Sequence, residues 1–346
     1  MRGGTVVFIV LNWNDWKSTL YLLSRLLSID CGHIECKFLV VDNGSTDGSL
    51  KFITKWLMYN KINFDIVTED HFNSCKASSN IILLVNRNNK GYSGGMNTGI
   101  RYALECLSPS FLLLLNNDID IDPNFFRTLY YASGDIRGPR VLNYYNNSDI
   151  PQPQVDFNIP LLSLFSKISS NVVITTRHYR IYNMPFTVQR LEGSCFMVRS
   201  EVFRRIGLFD ESFFNYWEDT DFFRRARKER YKIVIVPAGV VRHRVGSINL
   251  AVRKSNPRAA YYLGRNGILF IQKHYTGPKR YIVYILYLIS SIYMFAVYLI
   301  YLRHSLSALS YILGIIRGLL GETGFSGFLE RFVRKYNVLQ IFKINK

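Results

Sequence analysis

FLLLLNNDIDIDPNFF, residues 111 to 126, sets five apolar residues against two asparagines and then three aspartates at alternate positions, before a proline restarts the chain. An unbroken apolar run of this length suits a strand buried on both faces, as in a parallel sheet covered by helices. Ligands bind at the carboxyl ends of the strands in such sheets. Carboxylates at this spacing repel one another unless a cation or solvent relieves them. Asp118, Asp120 and Asp122 therefore mark either a metal site or a wet loop.

Upstream, TVVFIVLN, WKSTLYLLSRLLS, CKFLVVDN, GSLKFITKWLMY, IILLV and GGMNTGIRYALECL alternate strand-like and helix-like patterns. This predicts an α/β domain with a mostly parallel sheet. TVVFIVLN is at the lower limit for a signal core and runs into WNDW without a small-residue cleavage site, so it reads as the first strand. Downstream, Asn143 to about Arg190 is polar and proline-bearing, which predicts an irregular insertion of the kind that often forms a substrate lid. Ordered structure is expected again beyond it, with a helix over Asp219 to Glu229 and a strand over Lys232 to Pro237.

The 346 residues, 48% hydrophobic, allow a sizeable core and exclude a wholly disordered chain. Five cysteines, odd in number and without a CxxC pair, predict free thiols in a reducing compartment. The net charge of +18 is uneven: from Phe222 onward 22 lysines and arginines face only Glu229, Glu322 and Glu330, and the rest is near neutral. The same end holds an uncharged run, Tyr281 to Leu302, between Lys279-Arg280 and Arg303-His304. Its length meets the roughly 20 residues of a bilayer-spanning helix. SLSALSYILGIIRGLL, interrupted by Arg317, reads as a returning arm or an interfacial amphipathic helix. Basic residues around an uncharged apolar segment predict anionic lipid rather than nucleic acid as the partner.

Four constellations carry chemistry. In VVDNGSTDGS an apolar strand stops at Asp42, placed to accept hydrogen bonds from a nucleotide base or ribose, and a turn leads into a helix. NRNNKGYSGGMNTG, residues 86 to 99, is glycine-rich and precedes a helix, so its backbone can approach a phosphate or sugar. FNYWEDTDFFRRAR carries Glu218, Asp219 and Asp221. Helical spacing pairs Asp221 with Arg224 and Arg225, whereas Asp219 faces Phe222 and Phe223 and is free for general-base work. VVRHRVGS places His243 just after a strand, structural or solvated unless a ligand role asks for it.

Together and in this order the motifs resemble the family 2 inverting glycosyltransferases, rhamnosyltransferase-like and galactofuranosyltransferase-like members in particular, over about Thr5 to Phe270. The resemblance implies an A-type glycosyltransferase fold: an α/β, Rossmann-like, mostly parallel sheet with flanking helices, here followed by C-terminal membrane-associated helices. It implies nucleotide-sugar contacts from Asn12, Asn14, Asp42, Asn89, Gly91, Gly94, Gly95, Asn97, Asn117 and Arg265, with Arg258 a weaker candidate. Met96 replaces the family's usual asparagine. The metal-binding Asp-x-Asp falls on Asn116-Asn117-Asp118, where one carboxylate survives, and His243 matches the late metal-binding histidine. Asp118 is then the ligand of the opening stretch and Asp122 a helix cap. Glu218 and Asp219 match the catalytic acidic pair, with Asp219 as base.

The expected organisation is a catalytic domain over 1–275, with a nucleotide-sugar half at 1–142, the insertion at 143–190 and an acceptor half at 190–275, then a membrane-associated basic region over 279–346. The implied activity is metal-dependent transfer, with Mn2+ or Mg2+, from a UDP- or dTDP-sugar to a glycan or polyprenyl-linked glycan on the cytoplasmic membrane, in cell-surface polysaccharide or glycoconjugate assembly. A sugar-phosphate nucleotidyltransferase and a non-catalytic membrane-associated binding protein are the alternatives.

Overall fold

The computed structural model describes residues 4–145, 148–151, 184–243 and 256–334. Most of the expected insertion, and the end of the basic tail at 335–346, lie outside these residues. The chain forms two compact units. Among the described residues the first takes 4–145, 148–151, 184–209 and 222–243, and the second takes 210–221 and 256–334.

The first unit runs β1 (Thr5–Asn12), α1 (Trp16–Leu26), β2 (Glu35–Asp42), α2 (Ser49–Tyr59), β3 (Phe64–Thr68), β4 (Ile81–Val85), α3 (Gly91–Tyr102), β5 (Phe111–Asn116), β6 (Ile119–Ile121), α4 (Phe125–Tyr131), β7 (Ile136–Tyr145), β8 (Ser148–Pro151), β9 (Phe186–Thr187), β10 (Cys195–Arg199), α5 (Ser200–Ile206), α6 (Glu218–Lys228, of which the first turn belongs to the second unit) and β11 (Ile233–His243). One sheet has the order β3-β4-β2-β1-β5-β10-β7-β11-β6, with β8 on β7 and β9 on β11. The pairings from β3 to β5 are all parallel. β10 is antiparallel to β5 and β7, and β6 is antiparallel to β11.

Both sheet faces are covered, which explains why these strands are apolar without alternation. Val7, Ile9, Leu112 and Leu114 share one core with Met96 and Ile100 of α3. Val6, Phe8, Leu113 and Leu115 point the other way, against Leu22, Leu23 and Leu26 of α1 and Ile53 and Leu57 of α2. Asp15 caps α1 by accepting from the Ser18 N–H.

The cysteine expectation is corrected. Cys31 pairs with Cys36 and Cys75 with Cys106, while Cys195 is a buried free thiol. Cα separations of 6.5 and 5.0 Å permit both bridges. The second pair closes a span of 31 residues that neither an odd count nor a local motif reports.

Among the described residues the second unit holds the segment 210–217, the first turn of α6, the helices α7 (Pro257–His274), α8 (Gly277–Ala296, continuing as a π-turn to Tyr301) and α9 (Ser305–Leu319), and a helical stretch over 327–334. α7 and α9 approach through glycines. A Cβ on Gly264 would stand 2.4 Å from the Tyr311 carbonyl oxygen, and one on Gly314 would stand 2.1 Å from that of Tyr261. Larger residues there would drive the helices apart. Phe213, Trp217, Phe270, Tyr287, Tyr311 and Ile315 form the core between them.

Candidate functional site

Antiparallel pairing of β6 with β11 sets His243 opposite Ile119, and this brings together two residues 125 positions apart. His243 Nε2 lies 2.9 Å from Asp118 Oδ1. The imidazole is almost fully buried, while the carboxylate is 30% exposed. Two residues before Asp118, at the end of β5, Asn116 Oδ1 is buried without a hydrogen-bond partner among the described residues. A carboxylate, an imidazole nitrogen and an unsatisfied carbonyl oxygen are a donor set that fits Mn2+ or Mg2+. Among the described residues no group of three or more His, Cys, Asp or Glu gathers for a metal, so phosphate oxygens and water would complete the shell. The other aspartates of the stretch are engaged locally: Asp120 accepts from the Tyr21 hydroxyl, and Asp122 accepts from the Asn124 N–H ahead of α4.

Register along β1 links this strand end to the residues expected to contact the nucleotide, since Leu11 is level with Asn116 and Asn12 with Asp42. The Asn12 amide donates to Asp42 Oδ1 at 2.9 Å and to the Ser45 hydroxyl, while Thr19 donates to its carbonyl. Asn14, at φ 53°, accepts from the Thr46 N–H. Asn117 ties this loop to α1 by donating to the Asp15 carbonyl and the Thr19 hydroxyl. Asn43, in the turn that follows Asp42, is the hub of the neighbouring loop and was not among the expected site residues. Its amide donates to Asn89 Oδ1 and the Gly91 carbonyl, and its oxygen accepts from the Asn86 amide and the Lys90 N–H. Gly44, at φ +70°, passes so close to the Asn88 backbone that a Cβ would meet it at 2.5 Å.

Several of the residues expected to contact the donor carry structural roles. The glycine-rich stretch is the first half of α3 rather than a loop before a helix. Gly94 is buried in it, and a Cβ on Gly95 would stand 2.6 Å from Leu11 Cδ1 and 2.9 Å from Asn43 Nδ2, so glycine here seats the helix on the sheet. Gly95→Val is expected to cost about 1–3 kcal/mol of stability by overpacking, read by denaturant unfolding. Asn97 is fully buried and exchanges two hydrogen bonds with the Phe209 backbone, at 2.9 and 3.0 Å. Arg265 is fully buried in the second unit, donating to Asn266 Oδ1 and to the carbonyls of Gly324, Ser212 and Phe213. Burial pulls its guanidinium pKa below the usual range. It has no surface to offer a sugar nucleotide. Arg258 makes a bidentate pair with Glu330.

In the second unit Glu218 and Asp219 open α6, where acidic residues at the first turn and Arg225, Arg227 and Lys228 at the last complement the helix dipole. Glu218 is buried. Asp219 is half-buried and accepts from the Thr220 N–H and hydroxyl. The approach to this turn is strained: Phe214, Tyr216 and Trp217 have φ of 63°, 66° and 75°. Such conformations persist only when their surroundings hold them. Asn266 does so, its amide donating to the carbonyls of Phe213, Asn215 and Tyr216 at 2.8, 2.7 and 2.9 Å. Two residues on, Asp221 is fully buried and meets His274 Nε2 at 2.7 Å and Lys273 Nζ at 2.9 Å. Burial works against the charge of nearby Asp210, but hydrogen bonds from Lys273 and Ser212 outweigh it and hold that carboxyl below its usual range. Asn266 and His274 lie about 50 residues from the turn they support, beyond any helical spacing rule that could have found them.

Comparison with known proteins fits this arrangement. The solved structure of GalNAc-T7 with UDP, GalNAc and Mn2+ superposes with a TM-score of 0.50 at 14% identity, over 69% of this chain and 44% of that one. The mannosyltransferase PcManGT of Pyrobaculum calidifontis, solved with GDP-Man and Mn2+, also gives 0.50, at 12% identity over 98% of this chain and 81% of that one. These likenesses show the A-type fold. A curated relative, the low-salt glycan biosynthesis hexosyltransferase Agl10 of Haloferax volcanii, is 29% identical over 233 residues, 65% of this chain and 62% of that protein, so the match spans less than two thirds of the relative's length. The model of glycosyl transferase family 2 matches residues 7–207, and that of glycosyl transferase family group 2 matches residues 113–322. With more than half of its residues under each model, the chain belongs to glycosyltransferase family 2.

Proposed function

We propose that the chain transfers a hexose, with inversion, from a nucleotide-diphosphate sugar such as a UDP- or dTDP-sugar to a hydroxyl of a glycan or polyprenyl-linked glycan, at the cytoplasmic face of a membrane. The observation that carries this is the Asp118–His243 contact, two residues past an Asn116 oxygen that has no partner among the described residues, on a strand end where Asn116 is level with Leu11 and, one residue on, Asn12 is level with Asp42. The hexose follows the likeness to Agl10, and a divalent cation follows the Mn2+ in the two solved structures. Rhamnosyl or galactofuranosyl specificity is a finer possibility for the donor panel to decide.

Asp42 and Asn12 hold the nucleoside, while Asp118, His243 and Asn116 would hold Mn2+ or Mg2+. When bound, the cation neutralises charge growing on the leaving diphosphate. Inversion needs a base that removes the proton from the acceptor hydroxyl as its oxygen attacks the anomeric carbon, and Asp219 takes that part with Glu218 orienting the acceptor. Anionic lipid and the C-terminal helices keep the enzyme beside its acceptor.

The test is a panel of UDP-, dTDP- and GDP-sugars, read by stabilisation against thermal unfolding with and without Mn2+ and by the product released. Nucleoside diphosphate is expected, and pyrophosphate would mean nucleotidyl transfer. Asp118→Ala is expected to weaken Mn2+-dependent donor binding by about tenfold to 100-fold, the equivalent of losing one contact to a charged group. Wild-type donor affinity in this variant at saturating Mn2+ would remove Asp118 from the site.

A further inference from the structure

By length and composition Gly277–Tyr301 is able to cross a membrane, its 25 residues rising about 37 Å against a hydrocarbon core of about 30 Å. Contacts within the second unit point to a different placement. One side of α8, with Val283, Tyr287, Ser290, Ser291 and Tyr298, is buried. Near the middle of the helix the Tyr287 hydroxyl donates to the carbonyls of Leu263 and Gly264 on α7, and a Cβ on Gly267 would strike the Tyr287 hydroxyl at 2.3 Å and its ring at 2.4 Å. The centre of α8 is thus fixed to residues 263–267 of α7. In that same stretch of α7, Arg265 and Asn266 bond the carbonyls of the irregular segment 212–216 and of Gly324.

If α8 crossed a bilayer, its centre would stand at mid-depth and carry with it this segment, including exposed Tyr216, and the exposed Glu211 just before it. Irregular backbone facing lipid does not occur at that depth. A helix in the plane of the interface meets no such conflict. The side of α8 turned away from the protein suits it: Ile282, Ile285, Ile289, Ile292 and Ile300, at helical spacing, are 53–71% exposed. Tyr281, Tyr293 and Tyr301 are exposed at the start, beyond the middle and at the end. In the plane all three rings sit at headgroup level, where tyrosine is favoured; in a crossing helix Tyr293 would lie in hydrocarbon. Lys279 at one end and exposed Arg303 at the other would likewise both meet phosphate.

We infer that α8 does not cross the bilayer but lies in one anionic leaflet, its isoleucine side immersed and its Tyr287 side held on α7. This rests on the membrane partner proposed above and adds its geometry.

The test uses the full chain with vesicles of phosphatidylcholine and phosphatidylglycerol, or of phosphatidylcholine alone. Single variants Ile282→Trp, Ile289→Trp and Ile300→Trp place a fluorophore at exposed positions where folding is little affected. Quenching above the parent's own tryptophans is measured with nitroxides at shallow and deep acyl carbons. All three sites are expected at the same shallow depth, with binding to pure phosphatidylcholine weaker by about tenfold or more. A deep Ile289→Trp site between two shallow ones would overturn the in-plane placement while leaving the membrane partner standing. Failure to bind either vesicle would overturn the membrane partner itself. Ile289→Glu should weaken vesicle binding by about tenfold or more, and unchanged binding would also count against the immersed face.

Discussion

Asp219→Asn is expected to abolish sugar transfer while leaving donor binding in place. An amide has nearly the volume of a carboxylate and can still accept from the Thr220 N–H and hydroxyl, so the first turn of α6 keeps its shape. An amide cannot take a proton from an acceptor hydroxyl near neutral pH. Loss of a general base is worth about 10²–10⁴ in rate, and more where the base also orients the hydroxyl. Glu218→Gln is expected to cost less, because an orienting contact survives in part. The measurement is initial transfer rate beside donor affinity for both variants, in the same salt and metal. Retention of more than a few per cent of the rate by Asp219→Asn, with Glu218→Gln inactive, would reverse the two roles.

Asn266→Leu should have the next largest effect, although the residue is a positioning group rather than a catalytic one. Its amide is bonded to three carbonyls in a segment with three non-glycine residues at positive φ, each costing on the order of 1–3 kcal/mol. Arg265 Nε donates to the Asn266 oxygen and so sets which end of the amide faces the carbonyls. Without the amide, those carbonyls lose buried partners and the segment relaxes toward ordinary φ, moving Glu218 and Asp219. A shift of about 1 Å costs about 100-fold in rate. The expected result is kcat reduced by about that factor, stability lowered by about 1–3 kcal/mol, and donor affinity within about twofold of wild type, since the residues proposed to bind the donor belong to the other unit. Loss of stability with unchanged kcat would leave Asn266 a purely structural residue.

Much of this was legible in the chain because it is local. Apolar runs such as Phe111 to Leu115 and Thr5 to Leu11 have the length and composition of doubly buried strands, and they are β5 and β1. The helix expected over Asp219 to Glu229 is observed at Glu218–Lys228, and the strand expected to end at Pro237 runs on to His243. The strand end carrying Asp118 was visible for the same reason. Its contact with His243 was not, because it depends on how β6 registers against β11.

Hydrophobic period and turn chemistry act over a few residues, so the sequence alone was enough for the α/β class, the strand ends and the apolar C-terminal helices. Roles set by distant neighbours were decided only by the tertiary structure. Gly95 and Asn97 have the residue types of a sugar-nucleotide loop but serve packing, because α3 starts at Gly91 and lies on Leu11 and Phe209. Arg265 has the type of a diphosphate ligand but is enclosed by Ser212, Phe213 and Gly324. Cys75 and Cys106 are bonded only because the fold brings their Cα atoms within 5.0 Å. The physical reason is the same in each case: a polar or small side chain takes its function from the partners that reach it in space, and folding chooses those partners from residues tens to hundreds of positions away.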